Sequence, residues 1–232
     1  MSLLKCVGVL GGIGPLSTSY FYQSLIFQCQ KRLKSQYPNV IINSVDTWDF
    51  VLHQKNEKSA AKFLIKEIKK IEDQVDFVVI VCNTAHFVLD NIKDKVNVPI
   101  LPINKAVIKK VKESKVKKVG ILGTDITINS GLYTDGLLER GIPFEVLNRR
   151  EGQILNKITY NEMMVRKKLT QKRIINIKSK LKMRINSLVK KGCDGIILGC
   201  TDYPFFISQK DVENVKLFSS TDILAETVID HL

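Results

Sequence analysis

Asp76-Phe-Val-Val-Ile-Val-Cys-Asn-Thr-Ala-His86 and Asp194-Gly-Ile-Ile-Leu-Gly-Cys-Thr-Asp-Tyr-Pro204 make nearly the same statement twice. Each begins with an acidic residue, runs through apolar residues without polar alternation, and presents a cysteine followed at once by small hydroxyl or amide residues. Such a run is the pattern of a strand buried on both faces, as in a parallel sheet. Cys82 and Cys200 therefore stand at strand ends, and in open α/β sheets ligands bind at the carboxyl ends of the strands. A free cysteine is often only a small buried hydrophobe, which is the alternative for either thiol alone. Recurrence at matching strand ends argues instead for chemistry.

The flanking sequence supplies the rest of each sheet. Residues 5–11 read as a strand broken by the turn Gly11-Gly12-Ile13-Gly14-Pro15, after which a helix begins between Pro15 and Ser17 and carries Phe21, Leu25 and Cys29 at i, i+4 spacing. Ser17 or Thr18 is its expected cap, and Val40–Val45 is the second strand. Lys58–Ile71 is a helix leading into the strand that ends at Cys82; Asn83 or Thr84 caps the next helix, over 85–94, and 98–102 is a short strand. The order then repeats: a helix from Asn104, a strand at 118–124, a helix at 131–140, a strand at 143–147, a helical region at 153–164, a long basic helix ending at Gly192, and the strand to Cys200. A last strand and helix, 215–232, return to the first half. These patterns predict an α/β protein of two pseudosymmetric Rossmann-like lobes, residues 1–103 with 214–232 and residues 104–213, each a mainly parallel sheet flanked by helices. The two cysteines are expected to face one another across an interlobe cleft.

Composition narrows the classes. The 232 residues carry a net charge of +13, five cysteines and three histidines. Lys5 interrupts what would be the core of a signal peptide and no apolar run reaches the length of a membrane span, so cytoplasmic residence and no membrane partner are expected. An odd number of cysteines without a Cys-x-x-Cys pair favours free thiols over disulfides or a zinc site. Lysines such as Lys66, Lys69, Lys109 and Lys110 are interleaved with apolar residues at helical spacing, as are those around Ile174, Ile177, Leu181, Ile185 and Leu188. This is the pattern of solvated helix faces, and no nucleic-acid partner is expected. Gly12-x-Gly14 lacks the third glycine of a dinucleotide fingerprint, so no nicotinamide cofactor is expected. The turn suits an anion, a carboxylate as well as a phosphate.

Two thiols converging without a metal or disulfide partner suit the removal of a proton from one face of a carbon and its return to the other. One acts as thiolate base and the other as thiol acid, and the roles exchange in the reverse direction. A cysteine's ordinary pKa, about 8.5, lets it hold either state near neutrality. Backbone N–H groups of the Gly11–Gly14 turn, of Asn83-Thr84 and of Thr201 would supply fixed dipoles for a substrate carboxylate.

Leu10-Gly-Gly-Ile-Gly-Pro15 with Thr18, Cys82-Asn-Thr-Ala-His86 and Gly199-Cys-Thr-Asp202 resemble the signatures of the aspartate/glutamate racemase superfamily, cofactor-independent enzymes of two α/β lobes. The likeness extends to Ser44-Val45-Asp46, Leu122-Gly-Thr124 and the region from Leu155-Asn156 to Glu162. It implies an amino-acid racemase without a cofactor, acting on aspartate or glutamate or on a broader range, and a homodimer. By this resemblance Cys82 and Cys200 are the catalytic acid/base pair. Asn83, Thr84 and Thr201 hold the α-carboxylate and amino groups, and Gly12, Ile13, Thr18, Thr124 and Asp202 complete the substrate site.

Departures from the family pattern matter as well. Asp202 stands where members carry Glu or His, and either tunes Cys200 and the amino group or caps a helix. Phe50 and Met164 occupy positions where aspartate racemases supply cations; Lys105, Arg149, Arg150 and Arg166 are candidate substitutes or plain surface charges. His86 either polarises the site or packs or caps a helix, Trp48 is expected in the core rather than lining the cleft, and Cys6, Cys29 and Cys193 are expected to be structural. Rival readings are a maleate-type isomerase, an arylmalonate-type decarboxylase, disfavoured by the second cysteine, and a basic binding protein without catalysis.

Overall fold

The computed structural model describes residues 4–163 and 168–232. Two compact units are present, Met1–Ala106 with Thr221–Leu232, and Val107–Ser220. Met164 and Arg166, two of the positions singled out from sequence, lie outside the described residues.

The first unit contains strand β1 (Val7–Gly11), helix α1 (Pro15–Arg32), β2 (Val40–Ser44), α2 (Thr47–His53), α3 (Glu57–Lys69), β3 (Phe77–Ile80), α4 (Leu89–Ile92), β4 (Ile100–Leu101) and the start of α5 (Ile103–Lys112). Its strands are parallel in the order β2-β1-β3-β4, with Val9 opposite both Ile42 and Val79. The unbroken apolar strands divide their side chains between two cores, because successive residues of a strand point to opposite faces. Val7, Val9, Phe77 and Val79 pack with Phe21, Leu25 and Cys29 of α1, while Leu10, Val78 and Ile80 pack with Leu64 and Ile68 of α3.

The second unit repeats this plan with β5 (Val119–Gly123), α6 (Asp125–Asn129), α7 (Thr134–Leu138), β6 (Phe144–Val146), α8 (Arg149–Ile158), α9 (Gln171–Lys190), β7 (Gly195–Gly199), α10 (Tyr203–Phe206) and β8 (Lys216–Ser219), followed by α11 (Ser220–His231). Its strands are again parallel, in the order β6-β5-β7-β8. The acidic residues that open the two quoted stretches have equivalent duties. The Asp76 N–H donates to Cys6 O and its carboxylate accepts the Cys6 N–H at 2.6 Å; Asp194 does the same with Lys118, accepting its N–H at 2.9 Å. Each carboxylate thereby ties the residue before one central strand to the entry of another.

Several sequence expectations need correction. The strand within 214–232 does not return to the first unit: β8 pairs with β7, with Ile197 opposite Phe218, and only α11 joins the first unit, where Leu224, Ala225 and Val228 pack against the first sheet. The return falls near Thr221 because Ser220 is still bonded to the second sheet, its hydroxyl donating to Leu198 O at 2.8 Å. Residues 85–94 do not form one capped α-helix; a 3₁₀ turn over Thr84–Val88 precedes the four-residue α4. Helix α2, missed in the sequence, is capped by Asp46, whose carboxylate accepts the Trp48 N–H at 2.8 Å. Trp48 is only half-buried, while Thr47 and Phe50 face inward. In α9 Ile177, Leu181, Ile185 and Leu188 are buried as read while Ile174 is half-buried, and Lys178 and Lys180 pair with Asp211 and Glu162.

Candidate active site

The first unit's site is built at the ends of β1 and β3. Two residues past the paired Leu10 and Ile80 stand Gly12 and Cys82. Gly12 has φ +83°, and a Cβ there would overlap the backbone of Val45, so only glycine fits. The turn is held by hydroxyls. Thr18 Oγ1 accepts the Gly12 N–H at 2.8 Å and donates to Gly14 O at 3.0 Å, Ser17 Oγ donates to Gly14 O at 2.8 Å, and Thr47 Oγ1 donates to Gly12 O at 2.6 Å. Thr18 and the Gly12 N–H, expected on the substrate, thus serve the turn itself. Neither Ser17 nor Thr18 caps α1; Gly14 holds that position without a side-chain bond. Ile13 is buried in the same apolar cluster as Cys82.

Cys82 is 7% exposed, its N–H donating to Ile80 O at 2.8 Å, and Asn83 and Thr84 beside it are also buried. Asn83 makes no side-chain capping bond to the 3₁₀ turn. His86 is packed beneath them. Its Nδ1 lies 2.8 Å from Cys82 O, and its Nε2 accepts the Ile103 N–H at 3.2 Å. An imidazole that accepts at Nε2 donates at Nδ1, so the neutral Nδ1–H tautomer is fixed. Burial pushes its pKa down to about 4, against the raising effect of its bond to Cys82 O. His86 therefore braces the Cys82 carbonyl against the start of α5.

The second unit places Thr124 and Cys200 one residue past the paired Gly123 and Gly199. Thr124, expected on the substrate, caps α6: its Oγ1 accepts the Thr127 N–H at 3.3 Å and lies 3.0 Å from Thr127 Oγ1. Cys200 is half-buried; Thr201 and Asp202 are 2% and 5% exposed. Asp202 stands before α10 without a side-chain capping bond, which removes the capping alternative and leaves a buried carboxylate two residues from the thiol.

Two buried tyrosines missed in the sequence, Tyr133 and Tyr203, feel the charge of Cys200. Tyr203 OH is 2.9 Å from Thr159 Oγ1, which itself donates to Leu155 O, so the phenol is the donor. Tyr133 hydrogen-bonds Ser220, whose hydroxyl donates to Leu198 O, so Tyr133 donates as well. Burial and the nearness of Cys200 hold both phenols well above the usual tyrosine range. The available signal was the buried hydroxyl after each strand end: Ser220 follows β8 as Thr201 follows Cys200.

Of the remaining candidates, Phe50 is buried in the same apolar cluster of the first unit as Cys82, and Lys105, Arg149 and Arg150 are exposed. Cys29 and Cys193 are buried and Cys6 is half-buried. Among the described residues no group of His, Cys, Asp and Glu is arranged to hold a metal, and no helix is long and apolar enough to cross a membrane.

Two parallel four-stranded sheets, each with a thiol at the end of an interior strand, define an α/β protein of duplicated architecture. Residues 10–228 match the family described as Asp/Glu/Hydantoin racemase, so the chain belongs to that family and is an amino-acid racemase, an isomerase. The sequence is 29% identical to a broad specificity amino-acid racemase from Bacillus subtilis (strain 168), over 97% of this chain and 98% of that one. The structure is similar to an aspartate racemase homologue from Pyrococcus horikoshii OT3, with TM-score 0.79, 31% identity and 98% of each chain covered. Its fold is also that of the Picrophilus torridus aspartate racemase, with TM-score 0.79, 22% identity, and 97% and 93% of the chains covered.

Proposed function

We propose that the enzyme interconverts the L- and D-enantiomers of an amino acid by two-base proton transfer at Cα, without a cofactor. Cys82 and Cys200 approach the carbon from opposite sides, one as thiolate and the other as thiol. The observation that supports this most directly is their equivalence: each follows the last residues of an interior parallel strand, in sheets of the same order. That is where the fold presents side chains to a ligand.

The α-proton of an amino acid is weakly acidic, so the developing carbanion needs preorganised donors in a site that excludes water. Asn83, Thr84 and Thr201 adjoin the thiols and are assigned to the α-carboxylate and amino group. Asp202 is assigned to the ammonium, whose charge a buried carboxylate balances. Gly12, Ile13, Thr18 and Thr124 act on the substrate through the shape of the turns they hold.

Aspartate or glutamate is the proposed substrate. A broader range is the second reading, supported by the buried Phe50 where aspartate racemases carry a cation and by the full-length similarity to a broad specificity racemase. Solvent-deuterium uptake at Cα, measured over a panel of twenty amino acids with no added cofactor, separates the two. The reading predicts uptake with at least one acidic amino acid; labelling of apolar amino acids alone would overturn the acidic assignment, and no labelling of any would overturn the activity.

A further inference from the structure

We propose that the second unit carries a binding site for a free amino acid with an apolar side chain, separate from the residues assigned to proton transfer. The site is a cavity of about 360 Å³ at the carboxyl ends of β5 and β6, between α6 and the first half of α8. Cavities of roughly 300–1,000 Å³ hold small molecules, and the carboxyl edge of a parallel sheet is where such ligands settle. None of Thr124, Cys200, Thr201 and Asp202 lines it.

Gly152 is the telling residue. It is the fourth residue of the ten-residue α8, where glycine weakens a helix relative to alanine. Its backbone is not left-handed, and a Cβ built there meets no atom within 4 Å, so neither conformation nor packing demands glycine. Its bare backbone forms part of the cavity wall. The fold leaves a space here that the protein could have filled at a gain in helix stability.

The lining specifies the occupant. Ile121, Ile128, Val146 and Leu147 offer an aliphatic surface. Arg149, Asn129 and Gln153 make no side-chain hydrogen bond or ion pair among the described residues, so their capacity is open to a ligand. A guanidinium fork matches a carboxylate in two parallel hydrogen bonds. Asp125, on the same lining, attracts an ammonium group and repels the double charge of a phosphate. A carboxylate, an ammonium and an apolar side chain together make a zwitterionic amino acid. The site stands whether or not the two thiols exchange protons.

The test is calorimetric titration of L-leucine and L-phenylalanine into the full-length protein, with AMP and inorganic phosphate as contrasts. The expected result is saturable binding of an amino acid that weakens about ten- to a hundred-fold in Arg149→Ala, the loss of a charge-assisted pair. In Gly152→Leu, which adds an isobutyl group to a residue of the cavity wall, binding is lost while circular dichroism and solvent-deuterium uptake by the racemase substrate stay unchanged. If Gly152→Leu misfolds, Gly152→Ala serves: its melting temperature is expected to hold or rise while affinity falls. Failure of both amino acids to bind, affinity unchanged in Gly152→Leu, or preferential binding of AMP or phosphate each overturns the proposal.

Discussion

The two halves of this molecule repeat one another in backbone and differ in what stands behind their cysteines. In the first unit Cys82 is sealed in an apolar cluster, its carbonyl held by a neutral imidazole. In the second, Cys200 is more exposed, two buried phenols feel its charge, and a buried carboxylate stands two residues on. Strand order, the position of the thiol and the acidic residue at the strand entry are shared. A duplicated scaffold thus delivers two sulfur atoms to equivalent places without giving them equivalent surroundings. Backbone hydrogen bonding enforces the symmetry of strands, whereas each side-chain environment answers to its own neighbours.

The largest effect expected from breaking the comparison is at the thiols themselves. Cys82→Ser and Cys200→Ser should each lower racemisation by about 10³-fold or more, because a hydroxyl is a far weaker acid/base than a thiol and a positioned general acid or base contributes roughly 10²–10⁴-fold. Chiral chromatography of the product at matched enzyme concentration measures this. Full activity in either variant would show that one half suffices.

Next comes His86, which has no counterpart in the second unit's site as described. Its folded pKa of about 4 lies below its ordinary value of 6.5, so between these pH values the unfolded chain takes up a proton that the folded chain does not. The stability tied to neutral His86 is complete above about pH 6.5 and is lost as pH falls toward 4, by about 3 kcal/mol for a difference of this size. Urea denaturation at a series of pH values should show this slope in the native protein and a flatter one in His86→Gln. His86→Ala, which strips partners from two buried backbone groups, should cost roughly 2–4 kcal/mol at neutral pH.

Smaller effects sharpen the contrast between the two turns. Thr18 both accepts and donates within the glycine turn, whereas Thr124 caps a short helix. Thr18→Val should therefore destabilise by about 2 kcal/mol, and Thr124→Val by about 1 kcal/mol, the usual cost of losing a cap. Losses of similar size, about 1 kcal/mol each, are expected at Tyr133→Phe and Tyr203→Phe, for one buried hydrogen bond apiece. Equilibrium denaturation ranks all four, and a larger loss at Thr124 than at Thr18 would reverse the assignment of which turn is the more constrained.

Much of this was legible because the physics involved is local. Phe77–Ile80 and Gly195–Gly199 announce doubly buried strands by their lack of polar alternation, and Gly12 announces a turn that only glycine can make. What escaped depends on partners distant in the chain. The strand at Lys216–Ser219 looks the same whichever sheet it joins, and only its pairing with β7 decides. A threonine near a strand end can bind a ligand, brace a turn or cap a helix with the same hydroxyl, so Thr18, inside α1, and Thr124, just past β5, could not be sorted from sequence. Tyr203 stood within a quoted motif, yet its role rests on Thr159, 44 residues away. Helix α2 was hidden because Thr47–His53 is too short to display a clear apolar period.

The central claim, that two thiols act on opposite faces of one carbon, is tested most directly by starting from a single enantiomer in D₂O and following deuterium separately in the two enantiomers at early times. Two-base transfer predicts that the product enantiomer carries solvent deuterium while the recovered starting enantiomer remains protonated. Equal early labelling of both enantiomers, or product that keeps its original proton, would contradict it.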